Sequence, residues 1–291
     1  VSHRFHIVDV FAESLYAGNT LAVVRDAADL DSATMQAIAR EFGFSETTFV
    51  VSDVRDAAGD GVRVRIFTPS FEMPFAGHPT IGTAWVIREH LLAQRPAEIA
   101  LALGVGRVPV AYEADASGEL GWLTAPPVTL GAQVPADEIA PIVGLAPSDL
   151  DPALPVQRVA AGPKFTIVPV RSREALARAR LNLDAFAADE SSTGLYCFVR
   201  EAADPANQIR ARMFFEAAGA REDPATGSAT ACFGAYLLAH GVYGKSLALR
   251  IEQGFEMGRP SLLHLDARTQ GGAARIRVGG RVIESARGEL L

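Results

Sequence analysis

Gly77-His78-Pro79-Thr80-Ile81-Gly82-Thr83-Ala84-Trp85-Val86-Ile87 and Asp223-Pro224-Ala225-Thr226-Gly227-Ser228-Ala229-Thr230-Ala231-Cys232-Phe233-Gly234-Ala235-Tyr236 decide the fold. Each opens with small or turn-forming residues, and each follows a strand-like run and a loop of about ten residues. The run before the first ends Arg65-Ile66-Phe67, and the run before the second ends Arg212-Met213-Phe214-Phe215. No Asp, Glu, Lys or Arg occurs from Gly77 to Ile87 or from Gly227 to Ala239. A helix apolar on every face must be buried on every face, so strands must surround each one. The repeated arrangement reads as a diverged tandem duplication. This predicts a mixed α/β chain of two similar barrel-like domains, each wrapped around a central apolar helix. The Pro-rich stretch from Ala125-Pro126-Pro127 to Val134-Pro135 is the expected link. A boundary near 128 gives domains 1–128 and 129–291, with the final strand free to cross back to the first.

Short β-rich runs bounded by Gly, Pro and Asp fill the rest: Phe5 to Val10, Leu21 to Val24, Thr47 to Val51, Val62 to Phe67, Phe165 to Val170, Leu195 to Val199 and Ile209 to Phe215. A helix is expected over Ser32 to Phe42, with Asp31 or Ser32 as its cap and Gly43 where a left-handed residue ends it. That helix delivers the chain to Phe44-Ser45-Glu46.

With 291 residues and 49% hydrophobic content the chain can bury a sizeable core. Its 27 basic and 34 acidic residues give a formal charge of -7, with no basic run, which argues against nucleic acid as a partner. The two cysteines, Cys197 and Cys232, fit neither a disulfide framework nor a metal motif. The first residues show no signal-peptide pattern, and the longest charge-free helical stretch falls short of the roughly 20 residues that span a bilayer. A cytoplasmic, soluble protein without a membrane partner is expected.

Three carboxylate and helix-end features bear on chemistry. Glu46 lies in Ser45-Glu46-Thr47-Thr48-Phe49-Val50-Val51, a strand otherwise without charge, where lost hydration would raise its pKa and suit it to proton transfer. Read from this segment alone, a strand-end Glu turned to solvent is the commoner case. Pro79 suits the first helical position and puts His78 at or beside the N-cap, while Thr226-Gly227-Ser228 opens the second helix with free amides and a hydroxyl. Two such helix ends could hold a carboxylate or an enolate-like anion, although ordinary capping explains them equally well. Asp223 could equally be a turn carboxylate before a proline.

Other patterns fail on inspection. Gly244-Lys245-Ser246 lacks the first Walker glycine, since Ala239 holds that place, and a strand follows it. Gly104-Val105-Gly106 lacks the third glycine of a dinucleotide fingerprint and reads as a link between strands. No nucleotide cofactor is expected. His3 and His6 point to opposite faces of one strand and make a poor metal pair, and His90, His240 and His264 stand alone as surface or cap residues. No metal is expected either.

Asp9-Val10-Phe11 with Gly18-Asn19, Phe44-Ser45-Glu46-Thr47-Thr48-Phe49, Pro74-Phe75-Ala76-Gly77-His78-Pro79-Thr80, Glu222-Asp223-Pro224-Ala225-Thr226-Gly227-Ser228-Ala229 and Gln253-Gly254-Phe255-Glu256-Met257-Gly258-Arg259-Pro260-Ser261 together resemble the PhzF-like family. Each motif is weak alone, but five in the family's order run nearly end to end. The resemblance implies a diaminopimelate-epimerase-like fold, an active site in a cleft between the halves, and a homodimer. It implies that Glu46 matches the catalytic glutamate. It also implies that Gly77, His78, Asp223, Gly227 and Ser228 bind or orient a small carboxylate substrate, with Asn19 at a further motif position. The epimerase branch of this fold uses a cysteine at each helix start, and no cysteine stands at those positions here. A cofactor-independent isomerase with one carboxylate as its base is the expectation, of the trans-2,3-dihydro-3-hydroxyanthranilate isomerase type. The alternatives are an epimerase, racemase or dehydratase of an amino-acid-like substrate and a non-catalytic binding protein of the same fold.

Overall fold

The computed structural model describes residues 2–54, 59–189, 194–217 and 219–291. Two compact units result, Val1–Thr124 with Gly279–Leu291, and Ala125–Val278. The break falls at Thr124, where the sequence placed it near 128.

In the first unit β1 (His3–Val10) and β2 (Asn19–Val24) form an antiparallel pair. Helix α1 (Ser32–Phe42) then leads to β3 (Glu46–Val50), which lies parallel to β2. β4 (Val62–Phe67) returns antiparallel to β3, and the two-residue β5 (Glu72–Met73) folds back on it. After α2 (Gly77–Val86) come β6 (Glu98–Leu103), parallel to β4, and the antiparallel β7 (Gly106–Asp115) and β8 (Gly118–Thr124).

The second unit repeats this order. β9 (Thr129–Val134) pairs with β10 (Val156–Ala160) across the short α3 (Ala136–Ile139), and β10 pairs with β11 (Lys164–Pro169). Helices α4 (Arg173–Arg178) and α5 (Leu183–Ala188) stand where α1 stood, before β12 (Leu195–Val199) runs parallel to β11. β13 (Ile209–Ala217), β14 (Ala220–Asp223) and α6 (Gly227–Ala239) match β4, β5 and α2. β15 (Ser246–Gln253) is parallel to β13, and β16 (Ser261–Gln270) and β17 (Ala273–Gly280) follow. β18 (Val282–Leu290) then pairs with β1, so the C-terminal strand belongs to the first unit. The loops expected before the two central helices thus hold the short strands β5 and β14. They are too brief, and too charged at Glu72, Arg221 and Glu222, to carry a strand pattern.

Local chemistry explains the elements. Asp31 caps α1 by accepting from the Thr34 amide at 2.8 Å, and Gly43 ends it at φ 65°. In α2 every residue but Trp85 is buried. Gly82 lets β1 and β2 approach it, because a Cβ there would stand 2.7 Å from Leu21 and 2.8 Å from Val10. In α6 Phe233 and Tyr236 pack with Tyr196 and Phe198 of β12, rings 4.5 to 6.3 Å apart. Smaller apolar clusters lie under the outer helices. Met35 and Ala39 of α1 cover Phe49 and Phe67, while α4 and α5 cover Val168, Cys197 and Phe214. No helix among the described residues is long and apolar enough to cross a membrane.

Candidate functional site

The first unit assembles its polar centre from β1, β2, β3 and the N-terminus of α2. Glu46 opens β3 directly opposite Leu21 of β2, and its side chain is 15% exposed. His78 is the second residue of α2, not its N-cap, and Pro79 is the third residue, not the first. The shift costs nothing, because the amides of the whole first turn lack intrahelical partners. Ala76 is the N-cap and supplies no side-chain hydrogen bond, so the Gly77 and His78 amides stand at the positive end of the helix dipole.

His78 Nε2 lies 3.4 Å from Glu46 Oε2, with the imidazole 7% exposed. Burial drives the His78 pKa down to about 3, against the smaller upward pull of its hydrogen bond to the Thr20 backbone. Among the described residues Nε2 itself has no hydrogen-bond partner, so the bond to Thr20 belongs to Nδ1. A neutral imidazole has one N–H, and giving it to the Thr20 carbonyl leaves Nε2 as an acceptor aimed at Glu46. Once the carboxyl of Glu46 takes up a proton, Nε2 can accept a hydrogen bond from it. A neutral His78 is directly testable: its ring ¹⁵N shifts should stay constant from neutral pH down to about pH 4, well below the ordinary histidine value near 6.5. A ring that titrates near 6.5 would show that the proton, not burial, governs this contact.

Behind His78 is a support that sequence reasoning missed. Asp9 of β1 sits directly opposite Thr20 of β2, and its Oδ1 accepts from the Thr20 hydroxyl at 3.1 Å. Its Oδ2 accepts from the Tyr16 amide at 3.2 Å, fixing the exposed Tyr16 in the left-handed region at φ 65°. Asn19, buried at the start of β2, adjoins Thr20. Asp9 was visible only as part of a motif, since the contact needs the strand register. Asp9→Asn should cost about 1 to 3 kcal/mol by weakening charge-assisted bonds in a buried place, read as a lower melting temperature. Unchanged melting would deny Asp9 this supporting role.

The second unit builds a comparable centre at α6. Gly227 and Ser228 are the first two residues of the helix, in the places Gly77 and His78 hold in α2. The N-cap Thr226 turns its hydroxyl away from the helix and donates to Asp223 Oδ2 at 2.5 Å. Gln253 ties the turn together: its Nε2 donates to the Asp223 carbonyl at 2.8 Å and to Thr226 Oγ1 at 3.1 Å, and its Oε1 accepts from the Thr226 amide at 3.3 Å. Asp223 is buried, and Ser228 is half-buried. In the sequence Thr226 is visible only as part of a helix start and Gln253 only as the first residue of a motif, because their contacts with Asp223 form only in the fold. Of the residues predicted for the site, the structure thus brings Glu46, His78, Gly77 and Asn19 together in one unit, and Asp223, Gly227 and Ser228 in the other.

The cysteines take no part. Both thiols are buried and free, and burial pushes each up to about 12, far from a thiolate at neutral pH. His240 ends α6 and bonds Gln157 at 2.7 Å, a cap as expected. His90 does not stand alone: it stacks on His6.

The family described as phenazine biosynthesis-like protein matches residues 8–288. An uncharacterized isomerase of Mesorhizobium japonicum is 36% identical, with 99% of each chain covered. A trans-2,3-dihydro-3-hydroxyanthranilate isomerase of Pseudomonas chlororaphis is 33% identical, again with 99% of each chain covered. Among solved structures, a PhzF-family phenazine biosynthesis protein of Bacillus anthracis superposes with a TM-score of 0.90 at 27% identity, covering 100% of this chain and 99% of that one.

Proposed function

Because this chain belongs to the phenazine biosynthesis-like family and its relatives are isomerases, we propose that it moves a proton between two carbons of a small cyclic carboxylate, with Glu46 as the group that carries the proton. The contact between Glu46 and the acceptor nitrogen of a neutral His78 supports this reading above all.

The ionised Glu46 takes a proton from an sp³ carbon of the ring, and the C–H electron pair enters the adjacent π system. The resulting carboxylic acid donates a hydrogen bond to His78 Nε2, which holds the proton while charge is spread over the substrate. Glu46 then returns the proton to a second carbon of that system, and the double bonds move with no change in composition or oxidation state. We assign Asp223, Ser228 and the amides of Gly77 and Gly227 to the substrate's carboxylate and other polar groups, with Asn19 beside the Thr20 backbone that holds His78. The trans-2,3-dihydro-3-hydroxyanthranilate of the Pseudomonas relatives, a ring bearing carboxylate, amino and hydroxyl groups, has the features this chemistry needs.

Full-length protein in D₂O, given a panel of cyclic and acyclic amino and hydroxy acids that includes trans-2,3-dihydro-3-hydroxyanthranilate, should place deuterium on a ring carbon of a cyclic carboxylate. Exchange confined to the α-carbon of acyclic amino acids would move the assignment to an epimerase. Binding with neither exchange nor a shifted double bond would leave a binding protein.

A further inference from the structure

The first unit carries a second group of titratable side chains, at the opposite end of its central helix. His6 comes from β1, Glu284 from β18, and His90 from a π-helical turn, Ile87–Leu91, that continues α2. His90 lies twelve residues beyond His78, roughly 18 Å along the helix axis at 1.5 Å per residue. His6 Nδ1 is 2.7 Å from Glu284 Oε1, and His90 Nε2 is 3.5 Å from Glu284 Oε2. All three residues offer ligand atoms within 4.8 Å of one another. The two imidazoles stack with centroids 4.5 Å apart, and Trp85 meets His90 edge-on at 5.5 Å.

Two features mark this group as more than a hydrogen-bonded cluster. His90 Nε2 is buried yet makes no hydrogen bond among the described residues, so the 3.5 Å approach to Glu284 leaves a buried polar atom unsatisfied. Single π-helical turns are rare and recur at functional sites, and here the turn carries His90 to the strands that bear its two partners. Only the His6–Glu284 contact has hydrogen-bond geometry, which leaves His90 outside it. A divalent cation can satisfy all three side chains.

We propose that His6, His90 and Glu284 form a binding site for a divalent transition-metal ion of the zinc class, separate from the Glu46–His78 pair. Two imidazoles and one carboxylate are a ligand set for zinc and its neighbours and a poor one for magnesium or calcium. Neighbouring ligands on a tetrahedral ion with bonds of about 2.1 Å stand about 3.4 Å apart, close to the His90–Glu284 separation. Binding replaces the His6–Glu284 hydrogen bond with two metal bonds and turns His90 out of its stack, so that both ring nitrogens address one centre. Water fills the fourth position. The ion would clip β1, β18 and the end of α2 together, stabilising the junction of the first and last strands. Arg25, whose charge reaches His6, opposes the cation.

The test is calorimetric titration of chelator-treated, full-length protein with zinc sulfate, together with metal analysis after dialysis. One zinc per chain and a higher melting temperature are expected for the wild type and equally for Glu46→Gln, whose change lies at the other end of the helix. His90→Ala and Glu284→Gln should each lose affinity by about 100-fold or more. Should His90→Ala fail to fold, His90→Phe keeps the stack and removes the ligand. A wild-type chain that binds no zinc up to about 1 mM, which corresponds to roughly -4 kcal/mol, overturns the proposal. So does zinc affinity in a folded His90 variant equal to that of the wild type.

Discussion

Glu46→Gln should lower turnover by about 10² to 10⁴-fold or more while leaving substrate affinity nearly unchanged. The amide has the shape of the carboxyl and can still donate to His78 Nε2, so the buried contact survives. Only the ability to accept a proton from carbon is lost. The separation matters because most substitutions here would confuse binding with chemistry. His78→Ala removes the acceptor, but it also breaks the hydrogen bond to Thr20 and opens a hole at the start of α2. Ser228→Ala, by contrast, leaves the backbone amides of α6 in place and should cost only about 1 to 3 kcal/mol, divided between affinity and rate. The readout for Glu46→Gln is the rate at which the substrate is isomerised, beside a calorimetric dissociation constant. Wild-type turnover in this variant would require another base, with Asp223 the next candidate and His78 after it.

What the sequence made legible follows from how local each signal is. The ends of α1 could be read because a cap acts within three residues, Asp31 to Thr34, and a left-handed Gly43 is its own signature. The buried central helices could be read because an absence of charge over ten or more residues survives any tertiary arrangement. The duplication was legible for the same reason, as two charge-free helices behind two strands ending in Phe. Within it the halves have diverged at one telling place: the second residue of the helix is a histidine in one unit and a serine in the other. Contacts between residues far apart in the chain left no trace. Asp9 and Thr20 meet only through antiparallel register, and His6, His90 and Glu284 span nearly the whole chain. His90 therefore looked solitary. The offset of Pro79 has another cause, since proline is tolerated anywhere in a first turn and so marks a helix start only to within a few residues.

Gly254→Ala should destabilise the protein by about 2 to 5 kcal/mol, and Gly258→Ala, four residues away, by only about 1 to 2. The two glycines flank the short 3₁₀ turn Phe255–Met257 and share a left-handed backbone, with φ of 77° and 69°. An alanine pays a similar conformational cost at either. Their surroundings differ. A Cβ at Gly258 meets nothing within 4 Å, whereas one at Gly254 would stand 2.4 Å from the Arg259 carbonyl oxygen and 2.5 Å from that of Pro224. Neither is the end of a flexible side chain, so the backbone itself must move. Pro224 follows Asp223, whose carbonyl accepts from Gln253, and Gln253 in turn precedes Gly254 and bonds Thr226. Displacing Pro224 therefore disturbs the turn that orients Asp223 and the start of α6, and the loss of activity should exceed what the lower melting temperature explains. Denaturant melts of the two variants, with turnover measured well below both transitions, isolate the steric part as the difference between them. Equal destabilisation would mean that the loop relaxes around the new methyl group, and that the close approach of Gly254 to Pro224 does not hold Asp223 in place.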